Sequence, residues 1–155
     1  MNISLNLNDI KKYNVSFLEP KKNVIMNGSF TKINFLNELL TMNGIYIYIP
    51  IKHYTFDSHD TKDYIKFNFK DNNLSEFFIF ESNILDYYNE CHNCTKNKKL
   101  LLTTQLQNGY MKYYKNNVNL NTSDVFFTLK ISGVWESDIH IGLTYKLLLT
   151  KDGVK

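Results

Sequence analysis

Few side chains in the 155-residue sequence are of the types that do covalent or metal chemistry, and their spacing is weak. Cys91-His92-Asn93-Cys94 places two thiols where both sulfurs could reach one zinc ion or act as a redox pair. Zinc would need two more ligands, and besides His92 the sensible donors are His53 and His59. The spacing matches no standard finger, and a second cysteine pair is missing, so two ordinary reduced thiols is the plainer reading. A redox role would need a βαβ context that this stretch lacks. Asp57, His59, Asp60 and Asp63 could gather round a divalent cation, but a solvated loop accounts for them as well. Ser132-Gly133 is not a nucleophile elbow, and the six glycines lie too far apart for a phosphate loop. The expectation is a non-enzymatic protein with no catalytic residue, no metal and no cofactor.

What remains is a pattern of rings and ammonium groups. Tyr46 and Tyr48 alternate with isoleucines, and Tyr110, Lys112 and Tyr114 alternate with Met111, Tyr113 and Lys115. Lys66 and Lys70 fall on one side of an alternating run, and Lys130 and Lys146 point outward in two C-terminal runs. Flat rings can stack bases, at about 1–3 kcal/mol each, and cations can follow a phosphate backbone. The same tyrosines also suit an ordinary exposed strand, where aromatic residues are favoured. The single tryptophan, Trp135, follows Gly133-Val134 and reads as a core or barrel-cap residue before a stacking platform.

Strands must position these groups. Lys22 to Phe35 is β-rich around Asn27-Gly28, Gly44 to Ile51 alternates strictly, and Tyr64 to Lys70 sets Ile65, Phe67 and Phe69 against Lys66, Asn68 and Lys70. After the Asp71-Asn72-Asn73 turn, Glu76 to Phe80 is expected to return as a short strand. Ile84, Leu85, Tyr88 and Cys91 then predict a helix over 82–94 with Ser82 as its N-cap. Leu100 to Gln107 and Tyr110 to Tyr114 flank Asn108-Gly109, the preferred pair for a two-residue hairpin turn. Two long strands close the pattern, Val125 to Val134 and Ile139 to Leu149, around Glu136-Ser137-Asp138. In the first, Phe126, Thr128, Lys130 and Ser132 oppose an apolar face; in the second, His140, Thr144 and Lys146 do so.

This order predicts one domain over 1–155, all-β with one short helix, with 1–12 and 150–155 loose and Asn116 to Asn121 a loop. An OB-like Greek-key β-barrel fits the order, and a two-sheet β-sandwich or jelly roll is the alternative. At 43% hydrophobic and 21% charged residues, the chain is not a long disordered one. It has no apolar run of membrane-spanning length, and Met1 to Lys12 lacks a signal-peptide core, so neither a membrane partner nor secretion is expected.

All 18 basic residues are lysine, there are 21 asparagines, and alanine is absent. Residues with AT-rich codons are abundant and those with GC-rich codons depleted, which points to an AT-biased genome. That bias alone supplies many lysines and tyrosines, and the net charge is only +3. Only the placement of lysines on particular faces can therefore indicate a polyanionic partner.

Two blocks carry a resemblance: Leu129-Lys130-Ile131-Ser132-Gly133-Val134-Trp135-Glu136 with Ile141-Gly142-Leu143-Thr144-Tyr145-Lys146, and Lys22 to Ile33 with Thr41-Met42-Asn43-Gly44-Ile45-Tyr46. Over these two blocks the chain resembles the OB-fold single-stranded DNA-binding proteins of large nucleocytoplasmic DNA viruses. The resemblance implies sequence-independent binding of single-stranded DNA in viral replication, recombination or repair, at the host cytoplasm or nucleus. Replication proteins and a second copy of the chain would be its candidate protein partners. The expected contacts are backbone neutralisation by Lys66, Lys70, Lys112, Lys130 and Lys146, and stacking on Tyr46, Tyr48, Tyr110 and Tyr114. Without arginine, lysines would meet the phosphates as point charges. The alternative is a structural or interaction protein, such as a minor virion component or host-binding β-sandwich, that uses tyrosine-rich faces as protein contacts.

Overall fold

The structure is a computed structural model that describes residues 4–22, 27–115 and 125–151. The expected Asn116 to Asn121 loop and most of the loose C-terminal end lie outside the described residues. In chain order the elements are β1 (Val15–Phe17), β2 (Lys21–Lys22), β3 (Ser29–Leu36), β4 (Thr41–Met42), β5 (Ile45–Ile49), β6 (Tyr54–His59) and β7 (Lys62–Phe67). Then follow α1 (Ser75–Cys91), β8 (Asn97–Lys99), α2 (Leu101–Asn108), β9 (Tyr110–Lys115), β10 (Val125–Glu136) and β11 (His140–Lys151).

Period-two alternation places Ile45, Ile47 and Ile49 of β5, Phe127, Leu129 and Ile131 of β10, and Leu147 and Leu149 of β11 in the core. Both helices pack on that inner side. Phe77, Ile84, Leu85 and Tyr88 of α1 are buried there with Leu102 and Leu106 of α2. The protein is mostly β, a single mixed sheet whose main path runs β1-β3-β10-β11-β9-β7-β6. β10 pairs antiparallel with β11 along its length. Its other edge takes β5 at Phe127–Ile131 and β3 at Gly133–Glu136, on either side of a register shift at Ser132. β8 and β9 both join β11 in parallel.

The architecture corrects the expectation at several points. Among the described residues, β1 and β6 end the sheet without pairing to each other, so the sheet is open and no barrel closes. Nor do the described residues form a second sheet to make a sandwich: helices cover the inner side. Among the described residues two α-helices form, where one was expected. Glu76 to Phe80 belongs to α1, which starts at Ser75. Its buried stripe is Phe77, Glu81, Ile84, Leu85 and Tyr88, and a charged residue at the second position hides the helical period. Ser82 is therefore inside the helix and accepts a hydrogen bond from Lys98 Nζ at 2.7 Å instead of capping.

Leu100 to Gln107, expected as a strand, forms α2. Glu81, fully buried, reaches the first turn of α2 and accepts from Leu102 N and Thr103 N, both at 2.9 Å, and from the Thr103 hydroxyl at 2.7 Å. A carboxylate from another helix thus satisfies donors that the α2 sequence cannot cap itself. Asn108-Gly109 is the end of α2, not a hairpin turn: Gly109 has φ of 68°, the left-handed C-terminal geometry. The two-residue hairpin lies at Asp60-Thr61, between β6 and β7. Within the stretch expected to be loose, Leu5 is tied to β5. Leu5 N donates to Tyr46 O at 2.7 Å and Leu5 O accepts from Tyr48 N at 2.9 Å.

Candidate nucleic-acid interface

The face of the sheet away from the helices collects the rings and lysines. Paired strand residues share a face, so the register determines which side chains are neighbours. Tyr46, Lys130 and Lys146 lie opposite one another across β5, β10 and β11. The next row is Tyr48, Thr128, Leu148 and Tyr114, which carries the line into β9. On β9 and β7, Lys112 opposes Tyr64 and Tyr110 opposes Lys66. Eight of the nine residues singled out in the sequence (Tyr46, Tyr48, Lys66, Tyr110, Lys112, Tyr114, Lys130 and Lys146) therefore lie on one outer face drawn from five strands.

The ninth does not. β7 stops at Phe67, and Lys70 sits in a short 3-10 turn, Phe69–Asp71, whose Asn68 side chain accepts from Lys70 N at 2.9 Å. The expected shared strand face of Lys66 and Lys70 is lost because the Asn68 side chain turns the backbone out of the extended state.

On the outer face the ammonium groups sit beside rings. Lys112 and Lys146 are 4.6 and 4.9 Å from the centre of the Tyr114 ring, Lys130 is 5.6 Å from Tyr46, and Lys66 is 5.7 Å from Tyr110. At exposed sites such contacts contribute about 0.5–1 kcal/mol each and orient otherwise floppy side chains. Tyr64 and Tyr110 stack with centroids 4.8 Å apart at 10°. Tyr48 is 41% exposed and Tyr114 37% exposed, so their rings present area to solvent.

Charge on the face is one-sided. Lys66 lies 3.7 Å from Asp57 on β6, an exposed pairing of small energy. Lys112, Lys130 and Lys146 have no carboxylate within ion-pair distance among the described residues. Loss of solvation and then the Asp57 carboxylate push the Tyr110 phenol above its ordinary pKa.

The face contains residues that the spacing alone did not single out. Tyr64 shares its side of β7 with Lys66, and Phe126 shares its side of β10 with Lys130 and lies 6.0 Å from the Tyr48 ring. Both were legible from alternation. Trp135 was not: it follows the bulge, opposes Gly142 and Phe30, and lies half-buried on the outer face, not in the core. The missing side chain of Gly142 makes room for the indole, since a Cβ there would stand 2.4 Å from Trp135 Cζ2.

The metal-type groups are scattered. Cys91 ends α1, Cys94 donates through Sγ to Asn89 at 3.0 Å, and the His92 ring stacks on Tyr88 at 4.1 Å. Asp57 and Asp63 point to opposite sides of the β6–β7 hairpin, and Asp63 sits 3.8 Å from Lys115. Among the described residues no three His, Cys, Asp or Glu side chains come together as a metal site. No described helix is long and apolar enough to cross a membrane.

No protein-family model matches the chain, and no curated protein or solved structure gives a significant match. The geometry of the outer face therefore carries the functional reading.

Proposed function

We propose that the protein binds single-stranded DNA on the outer face of its sheet, without sequence preference and without chemistry. The observation that carries this reading is the convergence of Tyr46, Tyr48, Tyr110 and Tyr114 with Lys66, Lys112, Lys130 and Lys146 on one surface. Rings exposed in a row stack bases of any identity, and ammonium groups between them neutralise the backbone. The reading keeps the working part of the OB-type expectation, a β surface that holds one strand, and needs no closed barrel. A role in viral replication, recombination or repair rests on the sequence resemblance. Duplex DNA suits the face poorly, because paired bases keep their flat sides stacked on each other and out of reach.

The test is fluorescence anisotropy of labelled oligo-dT titrated with the protein at low and moderate salt, with unlabelled duplex as competitor. Tight, salt-sensitive binding that duplex displaces poorly is the expected outcome. Absence of binding at low salt refutes the reading. It would direct attention to a protein partner on the same tyrosine-rich face, for which salt matters little.

A further inference from the structure

At the β6–β7 end of the outer face, beyond Tyr110, the surface sinks into an open depression of about 550 Å³. Its walls are chemically unlike. One part of its lining is Lys66 and Lys70 with His53 and Phe69; another is the end of α2, with the amide residues Gln107 and Asn108. None of the described residues lining it is acidic. The depression is braced from behind. Buried Asn72 accepts from Lys52 N and donates to Lys52 O at 3.1 Å and Asn68 O at 2.9 Å, which ties the Lys70 turn to the residue before His53. Phe67 N donates to Gly109 O at 2.9 Å, which ties the end of β7 to the end of α2.

We infer that this depression is a nucleotide subsite that receives one residue of the bound single strand after it leaves the sheet. The inference rests on the proposed binding of single-stranded DNA. Lys66 belongs to both surfaces, so the phosphate path runs from the platform into the depression without a break in charge. The phosphate lies against Lys66 and Lys70. The base lies against the end of α2, where amide side chains and the partial negative charge of a helix C-terminus favour the N–H donors of a base edge and disfavour phosphate. The volume falls within the range of small-molecule sites, so one nucleotide fits.

Length distinguishes this subsite from the platform. Five strands from β5 to β7 span about four gaps of 4.8 Å, roughly 19 Å. At about 3.4 Å per stacked nucleotide, five or six nucleotides cover the platform. The experiment titrates dT5 and dT10 against the full chain, Lys70→Ala, Lys70→Arg and Asn108→Ala; both positions are exposed, and circular dichroism checks folding. Lys70→Ala should weaken dT10 several-fold and reduce its salt slope by about 0.7, leave dT5 unchanged, and be rescued by Lys70→Arg. Asn108→Ala should weaken dT10 alone and leave the slope intact. Equal losses on both lengths, or no loss on dT10 while the unaltered protein still binds, overturn the subsite and leave the platform standing. No binding by the unaltered protein overturns both.

Discussion

Replacing Lys130 and Lys146 together by glutamine removes two ammonium groups from the centre of the outer face and keeps a neutral polar side chain, with the first two methylenes of each stem. Four lysines of that face, Lys66, Lys112, Lys130 and Lys146, are assigned to phosphates, and each phosphate neutralised on a single strand contributes about −0.7 to the slope of log affinity against log salt. The unaltered chain should therefore show a slope near −2.8, or about 50-fold weaker binding on going from 50 to 200 mM salt. The double variant should fall to about −1.4, or roughly sevenfold over the same interval. Asp57 lies 3.7 Å from Lys66 and lowers that lysine's share of the slope. Anisotropy with dT5, which covers the platform alone, at four or five salt concentrations measures both slopes. Lys12→Gln is the control, because that lysine sits against Glu90 at the helix layer and should leave the slope unchanged. An unaltered slope in a folded Lys130→Gln/Lys146→Gln protein would refute the assignment of the outer face.

Three further predictions concern the scaffold. Glu81→Ala strips the buried donors Leu102 N and Thr103 N of their acceptor and should cost about 2–4 kcal/mol in denaturant unfolding, with Glu81→Gln losing less; a loss below about 1 kcal/mol would show that α2 does not depend on this cap. Gly142→Ala should destabilise by about 1–3 kcal/mol and shift the emission of Trp135, the sole tryptophan, because the new Cβ collides with a rigid indole; an unchanged spectrum would place that ring elsewhere. Stability should also fall at both ends of the pH range.

The acid limb comes from Glu136. Burial alone would raise its pKa, but hydrogen bonds from Lys96 and Tyr88 outweigh it and hold the carboxyl below its ordinary 4.5. A depressed folded pKa gives stability that is full above 4.5 and lost as pH drops through the folded value, so Glu136→Gln should flatten this limb. The alkaline limb includes Tyr88, which burial, and then its bond to Glu136, push from 10.0 to about 12. That contribution is present below pH 10 and lost towards 12, and Tyr88→Phe should remove it, leaving the part due to the other raised phenols, Tyr145, Tyr113, Tyr110 and Tyr87. Unfolding midpoints measured from pH 3 to 12 check both limbs.

The sequence by itself determined the facing of side chains within each long strand. Period two is a property of the extended backbone, so Tyr46 and Tyr48 had to oppose the isoleucines, and Lys130 and Lys146 the apolar stripes of their strands. It did not reveal the second helix, because the α1 stripe runs through a buried Glu81 and α2 is capped by that same distant carboxylate. Nor did it reveal the turn that removes Lys70 from the β7 face, or the bulge that carries Trp135 outward. Only the tertiary structure decided that the outward faces of β5, β10, β11, β9 and β7 meet as one surface. Strand order and register are set by long-range backbone pairing and by which apolar faces the helices cover, and neither is encoded in the local spacing of any one strand.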